Sequence, residues 1–325
     1  MKEIISSFKN KKVLIVGDVM IDAYIIGKVE RVSPEAPVPV VNVEKHENRL
    51  GGAANVALNI QALGAYPIMC SVIGNDPESD ILHQCFKEQN LSLDGIIQSD
   101  ERKTTIKTRV LGNKHQLLRI DNEITSDLSK PDNDKLIEFF NSKITDCDVV
   151  ILEDYNKGVL NKGNISILID IANKHNKPIA VDPKKNNFLE YKNVTLFKPN
   201  LKELKEGLNS DKNLKIKDNL IEAVNELHMV INNSMCMVTL SEDGVYITDF
   251  KDKHMIPAHL RNIADVSGAG DTVISVASLC LACAVDSYAT AYLSNLAGGL
   301  VCEENGVVPI DLQKLNSEIE LTQKS

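Results

Sequence analysis

The chain has 325 residues, of which 43% are hydrophobic and 25% are charged, and its formal net charge at pH 7 is -9. This length supplies one large α/β domain, or a domain with an appended lobe. An acidic chain without a block rich in Lys and Arg lacks the electrostatic footprint of a nucleic-acid or membrane partner, so we expect neither. Residues 1–10 lack the apolar segment of a signal peptide and no apolar run could span a bilayer, which predicts a cytoplasmic protein.

Short apolar runs alternate with segments of helical spacing along most of the chain. The runs are predicted to be buried parallel strands and cover residues 12–17, 149–152, 178–181 and 235–240. The predicted helices cover residues 53–63, 79–89, 134–142, 165–174 and 220–227, and the pattern is helical from about residue 265 to residue 302. This alternation predicts an α/β fold with right-handed crossovers and a mainly parallel central sheet covered on both faces.

Two stretches interrupt the alternation. Residues 32–41 contain three prolines, which remove hydrogen-bond donors and favour extended backbone, so they indicate the edge of a small sheet. Residues 103–110 and 116–121 alternate like two strands joined by a turn. We predict a single domain over residues 1–325, with a small β-sheet lid formed discontinuously by about residues 19–43 and 98–122. An irregular surface excursion is the alternative.

The seven cysteines are scattered along the chain and mostly lie in apolar surroundings. This pattern favours reduced thiols that act as small core residues. Cys280 and Cys283 have the spacing of a metal or redox pair, but no second pair or nearby histidine accompanies them. Core packing is therefore the preferred interpretation.

The segment 265–272, Asp-Val-Ser-Gly-Ala-Gly-Asp-Thr, opens onto an apolar stretch. The first amides of a helix lack intrahelical partners and carry partial positive charge, so they can hold an anion that no side chain obstructs. Gly268, Ala269 and Gly270 leave that approach open. Repulsion would normally exclude a carboxylate from such a site, so Asp271 indicates a base for a hydroxyl that attacks phosphorus. The alternative is that Asp271 only caps the helix.

A second motif, Gly-Gly-Ala-Ala-Asn at residues 51–55, lies where a loop is expected to become a helix. Small residues there let the backbone approach a ligand closely, and Asn55 offers both a donor and an acceptor. The signal is weak alone. Neither the P-loop pattern nor the dinucleotide Gly-x-Gly-x-x-Gly pattern occurs, which disfavours P-loop enzymes and ordinary dinucleotide dehydrogenases.

The two motifs, in this order and at this separation, resemble the signatures of the ribokinase-like carbohydrate kinase family, and the resemblance covers nearly all of the chain. It implies a three-layer α/β/α fold with an inserted β-sheet lid. It also implies that Asp271 is the catalytic base and that residues 268–270 form the anion hole. The sugar-binding residues that the resemblance implies are Asp22, Gly51, Gly52 and Asn55.

The same resemblance implies a site for ATP and Mg²⁺. Asn200 and Glu203 form an Asn-x-x-Glu motif associated with Mg²⁺ and phosphate, where Glu203 would act on the metal through water. Asp265 corresponds to a residue near a monovalent-cation site, which suggests K⁺ as a further cofactor. The nucleotide-binding residues that it implies are Ser241, Gly244 and Asn295.

Five further segments narrow the resemblance to the heptose 7-phosphate kinases within this family. They are residues 16–22, 33–41, 107–111, 154–158 and 182–184. This resemblance implies phosphorylation of the anomeric O1 of D-glycero-β-D-manno-heptose 7-phosphate to the 1,7-bisphosphate, towards the ADP-heptose of the lipopolysaccharide core. Many such kinases are fused to a nucleotidyltransferase, and because the chain stops at Ser325 we expect the kinase-only form.

The phosphate of such a sugar needs cationic partners, and Arg109, Arg119 and Lys157 are the candidates. A guanidinium can hold a phosphate monoester through two parallel hydrogen bonds. For each cation the alternative is a solvated charge or a surface ion pair. Asp154 is a candidate for binding a sugar hydroxyl, and capping of the turn at Tyr155 is its alternative.

Two other functions stay open at this point. The first is a kinase of the same fold for another sugar or sugar phosphate, such as ribose or fructose. The second is a non-catalytic sugar- or nucleotide-binding regulator, against which Asp271, Asn200 and Glu203 argue. Sugar phosphate and ATP are the expected small-molecule partners. We also expect a homodimer through the lid, because association would protect the exposed edges of its strands.

Overall fold

A computed structural model describes residues 1–259 and 261–322. These residues form two separate β-sheets and a series of helices. In chain order the strands are β1 (Lys12–Gly17), β2 (Val19–Val32), β3 (Pro39–Gly52), β4 (Tyr66–Gly74), β5 (Ile96–Ser99), β6 (Ile106–Gly112), β7 (His115–Asn122), β8 (Val149–Glu153), β9 (Ile179–Asp182), β10 (Leu196–Phe197), β11 (Met235–Thr239), β12 (Val245–Thr248) and β13 (Lys253–Ile256). The helices are α1 (Lys2–Ser7), α2 (Ala53–Ala62), α3 (Pro77–Glu88), α4 (Lys130–Lys143), α5 (Ile165–Lys174), α6 (Leu201–Gly207), α7 (Lys217–Ile231), α8 (Ala269–Ala282), α9 (Ser287–Val301) and α10 (Leu312–Thr322).

The main sheet has the strand order β13-β12-β11-β10-β9-β8-β1-β4-β5. The strands from β11 through β1 to β5 pair in parallel, and β12 and β13 pair in antiparallel fashion at one edge. Parallel pairing needs a crossover between strands, which the intervening helices supply. The predicted α/β class with a mainly parallel central sheet is therefore confirmed.

Helices cover both faces of the main sheet, and the sheet separates the core into two clusters. In β1, Val13 and Ile15 pack into one cluster while Leu14 and Val16 pack into the other. Successive side chains of a strand point to opposite faces, so a strand covered on both sides must be apolar throughout. The first cluster contains residues of α1, α2, α3, α8, α9 and α10, and the second contains residues of α4, α5, α6 and α7.

The second sheet is small and has the order β3-β2-β6-β7. Strands β2 and β3 form a long antiparallel pair, β6 joins β2 in parallel, and β7 pairs with β6 in antiparallel fashion. The turn between β6 and β7 uses Asn113 and Lys114, both at positive φ, as a tight hairpin turn requires. The predicted small sheet built from two separated segments is confirmed.

Two boundaries of the small sheet differ from the prediction. Strand β3 continues to Gly52 and enters α2 directly, so residues 51–52 end a strand rather than a loop. The predicted second segment began at residue 98, but Gln98 and Ser99 belong to β5 of the main sheet. The first error arises because two glycines suggest a loop from sequence alone. The second arises because the alternation of apolar residues does not show which sheet a short strand such as β5 joins.

Local capping explains where several helices begin. Asp76 accepts a hydrogen bond from the Ser79 amide and Pro77 occupies the first turn, so α3 starts before the predicted residue 79. In the same way Ser129 caps α4, which begins at Lys130 instead of residue 134. The last predicted helical stretch was expected to start near residue 265, but Gly268 has φ 83° and α8 begins only after it.

All seven cysteines are free thiols, and six of them are buried. Cys280 lies within the core helix α8, where burial raises the pKa of its thiol above the usual value. Cys283 caps the end of the same helix. The core-packing interpretation of this pair agrees with these positions. Among the described residues, no helix combines the length and apolar character needed to cross a bilayer.

Candidate active site

Four neighbouring parallel strands of the main sheet bring polar side chains together at their carboxyl ends. Asp18 follows β1, Glu153 ends β8, Asp182 ends β9 and Lys198 follows β10. All four side chains are buried. In open α/β sheets, ligands bind outside the carboxyl ends of the strands. The reaction site is therefore expected at the carboxyl ends of these four strands.

Asp271 lies in the first turn of α8 and points into the same region. Its Oδ2 accepts a hydrogen bond of 2.6 Å from Asn55 Nδ2, and its Oδ1 accepts one of 2.7 Å from the Tyr155 hydroxyl. Burial raises the pKa of Asp271 to about 6, although both hydrogen bonds act in the opposite direction. A carboxylate with this pKa can accept a proton near neutral pH.

The backbone before Asp271 leaves an anion site open. No backbone partner within the described residues pairs with the amides of Gly270 and Asp271, whereas the Thr272 amide already bonds to the Gly268 carbonyl. A Cβ at Gly270 would lie 3.7 Å from Asp182 Oδ2 and 3.8 Å from Lys198 Nζ. Gly270 therefore lies beside a region that contains both a cation and a carboxylate. A phosphoryl oxygen is a suitable partner for the open amides.

Two lysines neutralise Asp182. Lys184 Nζ lies 3.0 Å from Asp182 Oδ1, and Lys198 Nζ lies 2.8 Å from Asp182 Oδ2. Burial would raise the pKa of Asp182, but the two ammonium groups outweigh it and lower the pKa. Lys184 also bonds to Glu203 Oε1 at 2.7 Å and lies 5.5 Å from the centre of the Tyr155 ring. These charges form one connected cluster beside the anion site.

Glu153 lies in this cluster without a hydrogen-bond partner. It is fully buried, and neither carboxyl oxygen has a partner within the described part of the chain. Burial, followed by repulsion from Asp182 and Asp271, raises its pKa well above the usual value. These influences favour the neutral acid, since an uncompensated buried carboxylate is costly.

The Asn-x-x-Glu motif forms a capping box at the start of α6. Asn200 Oδ1 accepts from the Glu203 amide, and Glu203 Oε2 accepts from the Asn200 amide. Glu203 Oε1 bonds to Lys184, so the motif is joined to the charged cluster around Asp182. The motif is thus both a helix start and part of the site.

The three candidate nucleotide residues converge on one segment of the chain. Ser241 and Gly244 flank a short turn between β11 and β12, and Gly244 has φ 94°. A Cβ at Gly244 would clash with the Ile256 carbonyl oxygen at 2.0 Å, so this position needs glycine. Asn295 on α9 donates to the Pro257 carbonyl at 2.9 Å. The turn and Asn295 therefore contact adjacent residues.

Asp265 ties two loops together next to α8. Its Oδ1 accepts from the Ser267 amide at 2.9 Å, and its Oδ2 accepts from the Gly306 amide at 3.1 Å. Although burial acts against ionisation, the hydrogen bonds from Ser267 and Gly306 lower the pKa of Asp265. Both carboxyl oxygens are engaged by backbone in this arrangement, and K⁺ binding by Asp265 stays a prediction.

On the small sheet, two sugar-site candidates are partners of each other. The Arg109 guanidinium forms an ion pair with Asp22, and the Tyr24 hydroxyl donates to Asp22 Oδ2 at 2.6 Å. Gly51 lies beside Asp22, where an added Cβ would be 3.6 Å from the Asp22 Cβ. Gly52 has φ 60° and passes close to the Asp18 carbonyl oxygen. The structure thus brings Asp22, Gly51 and Arg109 together. The Arg109 guanidinium is already paired with the Asp22 carboxylate.

Asp154 is held by hydrogen bonds from neighbouring residues, and its binding of a sugar hydroxyl stays a prediction. It is fully buried, and its oxygens accept hydrogen bonds from the Asn156 amide, Asn187 Nδ2 and the Tyr191 hydroxyl. The structure therefore favours the capping alternative. The Asp18 carboxylate holds the same turn, because it accepts hydrogen bonds from the backbone amides of residues 155, 157 and 159.

The remaining two phosphate candidates belong to a chain of ion pairs. Arg119 binds Asp121 through two hydrogen bonds of 2.8 and 3.0 Å. Lys107 connects Asp121 to Glu123, and Lys157 binds Glu123 at 2.6 Å. We call these five side chains the ion-pair chain. The Arg119 side chain is 49% exposed, which fits the surface ion-pair alternative. The Lys157 side chain is only 14% exposed and fits that alternative less well.

Sequence reasoning missed several members of the site as individual residues. They are Asp18, Lys107, Glu123, Tyr155, Asp182, Lys184 and Lys198. Three of them carried a usable signal, because Asp18, Asp182 and Lys198 stand at the carboxyl ends of apolar runs. Nothing in the local sequence indicated that Glu123 would reach Lys157.

Comparison with known proteins gives the family. A model described as pfkB family carbohydrate kinase matches residues 10–314. The chain belongs to this family. It is therefore a carbohydrate kinase, as the two signatures predicted.

Two relatives carry the name "Bifunctional protein HldE". The protein from Desulfatibacillum aliphaticivorans is 37% identical over 317 residues, which are 97% of this chain and 64% of that protein. The protein from Helicobacter pylori (strain P12) is 38% identical over 307 residues, which are 94% of this chain and 66% of that protein. The chain thus spans slightly less than two thirds of the length of these relatives.

Solved structures agree on the fold. Phosphofructokinase-2 from Escherichia coli, described as a tetrameric inhibited form, superposes with a TM-score of 0.76 at 19% identity, covering 96% of this chain and 99% of its own. Ribokinase from Thermotoga maritima gives a TM-score of 0.70 at 15% identity, with the same two coverages. The predicted ribokinase-like fold is confirmed.

Proposed function

We propose that this carbohydrate kinase phosphorylates the anomeric O1 of D-glycero-β-D-manno-heptose 7-phosphate. The observation that carries the kinase chemistry is Asp271, a buried carboxylate beside two open amides at the start of α8. The heptose specificity is supported by the HldE relatives and by the sequence segments that resemble heptose 7-phosphate kinases. The product would be the 1,7-bisphosphate, used towards ADP-heptose and the lipopolysaccharide core.

In this proposal Asp271 accepts the proton of the sugar hydroxyl as that oxygen attacks phosphorus. The Gly270 and Asp271 amides donate to the oxygens of the group being transferred, where charge develops. Gly268 gives the backbone the conformation that exposes these amides, and Ala269 adds no bulk. Asn55 and Tyr155 hold the carboxylate of Asp271 in one orientation through the hydrogen bonds described above.

ATP, when bound, supplies the phosphoryl group, and Mg²⁺ neutralises its oxygens. The open amides at α8 and the ammonium groups of Lys184 and Lys198 suit phosphate oxygens, and Glu203 would act on the metal through water. No group of three or more acidic, His or Cys side chains that could hold a metal occurs among residues 1–259 and 261–322. Such a site fits a metal held largely by phosphates and water. Ser241, Gly244 and Asn295 would hold the nucleoside.

A kinase for a different sugar is the second candidate, and the pairing of Arg109 with Asp22 is the observation that favours it. That ion pair leaves one fewer free cation for a substrate phosphate. A non-catalytic regulator is disfavoured, because a pure binding site has no need for a buried base at an anion site.

A substrate panel tests the proposal. ADP release is measured with heptose 7-phosphate, the unphosphorylated heptose, ribose, fructose and fructose 6-phosphate. We expect clear turnover only with the heptose 7-phosphate. Turnover of ribose or fructose with none of the heptose phosphate would keep the family and reject the substrate. The absence of ATP turnover with every sugar would favour the regulator.

We also propose that the small sheet is a lid and that two lids associate in a homodimer. All eight residues of β7 are exposed, including Leu118 and Ile120, and Val38 is exposed beside β3. Exposed apolar side chains near both edges of a sheet favour pairing with another copy. Light scattering at micromolar protein should give the mass of a dimer, and Ile120→Lys should reduce it. A monomeric mass for the unmodified protein would reject the dimer.

A further inference from the structure

Glu123 occupies an unusual position between two lysines from different parts of the fold. Its Oε2 lies 2.8 Å from Lys107 Nζ, and its Oε1 lies 2.6 Å from Lys157 Nζ. Lys107 belongs to β6 of the small sheet, whereas Lys157 belongs to the turn after β8 of the main sheet. Glu123 itself follows β7 directly. One carboxylate thus joins the two sheets by giving one oxygen to each ammonium group.

The three side chains are half-buried, with exposed fractions of 16% for Lys107, 14% for Lys157 and 21% for Glu123. The two ammonium groups contact the same carboxylate and repel each other, and the anion between them offsets this repulsion. Burial opposes ionisation of Glu123, but hydrogen bonds from both lysines lower its pKa. The lysine pair is therefore an anion site that the chain fills with its own carboxylate.

A phosphate monoester resembles this carboxylate but binds two ammonium groups more strongly. It offers three oxygens and nearly two negative charges near neutral pH, whereas a carboxylate offers two oxygens and one charge. Lys107 also pairs with Asp121, which in turn pairs with Arg119, so the ion-pair chain as a whole carries one net positive charge while Glu123 is in place. A bound phosphate dianion would balance the pair of lysines without help from Glu123.

We propose that Glu123 holds the place of the substrate phosphate, which displaces it and binds between Lys107 and Lys157. This inference rests on the proposed function for the identity of the substrate, and it adds Lys107 to the phosphate site. No covalent bond changes in the exchange. One ion-paired anion replaces another.

The exchange would link the phosphate to the base. Lys157 and Tyr155 lie on the same turn, and Asp18 fixes this turn by accepting from the backbone amides of both residues. Tyr155 donates to Asp271. A phosphate bound to Lys157 therefore contacts the same turn that carries Tyr155, the residue that orients the base. Binding of the phosphate end of the sugar can thus contribute to the alignment of O1 with Asp271.

The test is Glu123→Gln, which removes the charge and keeps the shape. Its matched control is Glu47→Gln, because Glu47 also bridges two cations of the small sheet, Lys45 and Arg49. Binding of inorganic phosphate is measured by calorimetry with a non-hydrolysable ATP analogue filling the nucleotide site. KM is then measured for heptose 7-phosphate and for the unphosphorylated heptose.

We expect Glu123→Gln to tighten phosphate binding and to lower KM for the phosphorylated sugar, each by about three- to tenfold. The reason is that the variant lacks the carboxylate charge that competes with phosphate for the two lysines. KM for unphosphorylated heptose should not change, and Glu47→Gln should change neither value. Lys107→Gln should weaken phosphate binding in the same assay. This second variant keeps the inference testable if Glu123→Gln folds poorly.

Weaker or unchanged phosphate binding in Glu123→Gln would overturn the inference, because Glu123 would then only orient the lysines or have no role. The proposed function fails in a different way. If phosphate binding tightens in Glu123→Gln but heptose 7-phosphate is not turned over, the anion site is supported and the substrate assignment is rejected. If heptose 7-phosphate is turned over but Glu123→Gln does not change phosphate binding, the substrate is supported and the displacement of Glu123 is rejected.

Discussion

Two charged regions of the molecule differ in how far water reaches them. The base pocket, formed by Asn55, Glu153, Tyr155, Asp182 and Asp271, lies at the strand ends and is largely buried. The ion-pair chain from Arg119 to Lys157 runs along the small sheet and becomes more exposed towards Arg119. Both regions pair carboxylates with polar or cationic groups. Burial raises the pKa of Asp271 to about 6, whereas in Glu123 the hydrogen bonds from Lys107 and Lys157 outweigh burial and lower the pKa.

The difference shows how the same side chains serve different tasks. In the base pocket, low dielectric raises the cost of charge, so small changes in hydrogen bonding alter proton affinity. In the ion-pair chain, water and salt reduce each interaction, and partners can be exchanged at modest cost. We therefore expect variants of the base pocket to change the chemical step and variants of the ion-pair chain to change substrate binding.

The largest effect is expected for Asp271→Asn. The amide cannot accept the hydroxyl proton, so kcat should fall by about 10²–10⁴-fold, the usual contribution of a positioned general base. Binding of ATP and sugar, measured by calorimetry, should persist. Near-normal kcat would remove Asp271 from the mechanism and would leave helix capping as its role.

Lys157→Ala should produce a smaller effect that depends on the sugar. Loss of a charge-assisted contact with the substrate phosphate, worth about 1.5–3 kcal/mol, should lower kcat/KM for heptose 7-phosphate by about 10- to 100-fold. The unphosphorylated sugar has no corresponding contact, so its low kcat/KM should change little. Equal losses on both sugars would mean that Lys157 supports ATP binding or the fold instead.

Tyr155→Phe should shift the pH dependence. Asp271 must be ionised to act as a base, so activity should fall as the pH drops through its pKa of about 6. The hydrogen bond from Tyr155 lowers that pKa, and its removal should move the acid limb of kcat/KM to higher pH.

Tyr191→Phe is the matched control for this shift. Tyr191 makes the same kind of 2.7 Å bond to Asp154, so its replacement should leave the acid limb in place. If Tyr155→Phe moves the limb to lower pH, or leaves it unchanged, the phenol does not stabilise the ionised base.

Salt should have the smallest effect and should separate the two regions. Raising the ionic strength from about 0.05 to about 0.5 M shortens the screening length and weakens the attraction between the ion-pair chain and a phosphate. KM for heptose 7-phosphate should rise a few-fold while kcat stays nearly constant. A fall in kcat with constant KM would contradict the division between the regions.

Much of the fold follows from local sequence. The apolar run of β1 and the segment that became α5 were predicted with their boundaries, because strand and helix periodicities are local properties. The two small-sheet segments were recognised from prolines and alternation. Strands β4, β5, β10, β12 and β13 were not predicted, since several are short and their pairing depends on neighbours that are distant in sequence.

The sequence by itself determined the family and the fold class, and it supplied the predictions that the start of α8 holds an anion and that Asp271 is the base. These depend on contiguous residues whose spacing fixes local backbone and chemistry. Only the tertiary structure decided that Asp154 accepts from the Asn156 amide, that Tyr155 donates to Asp271 and that Arg109 pairs with Asp22. It also decided that Glu123 lies between Lys107 and Lys157. The partners in these pairs come from separate strands and loops, and their charges interact only because the two sheets bring them within a few ångströms.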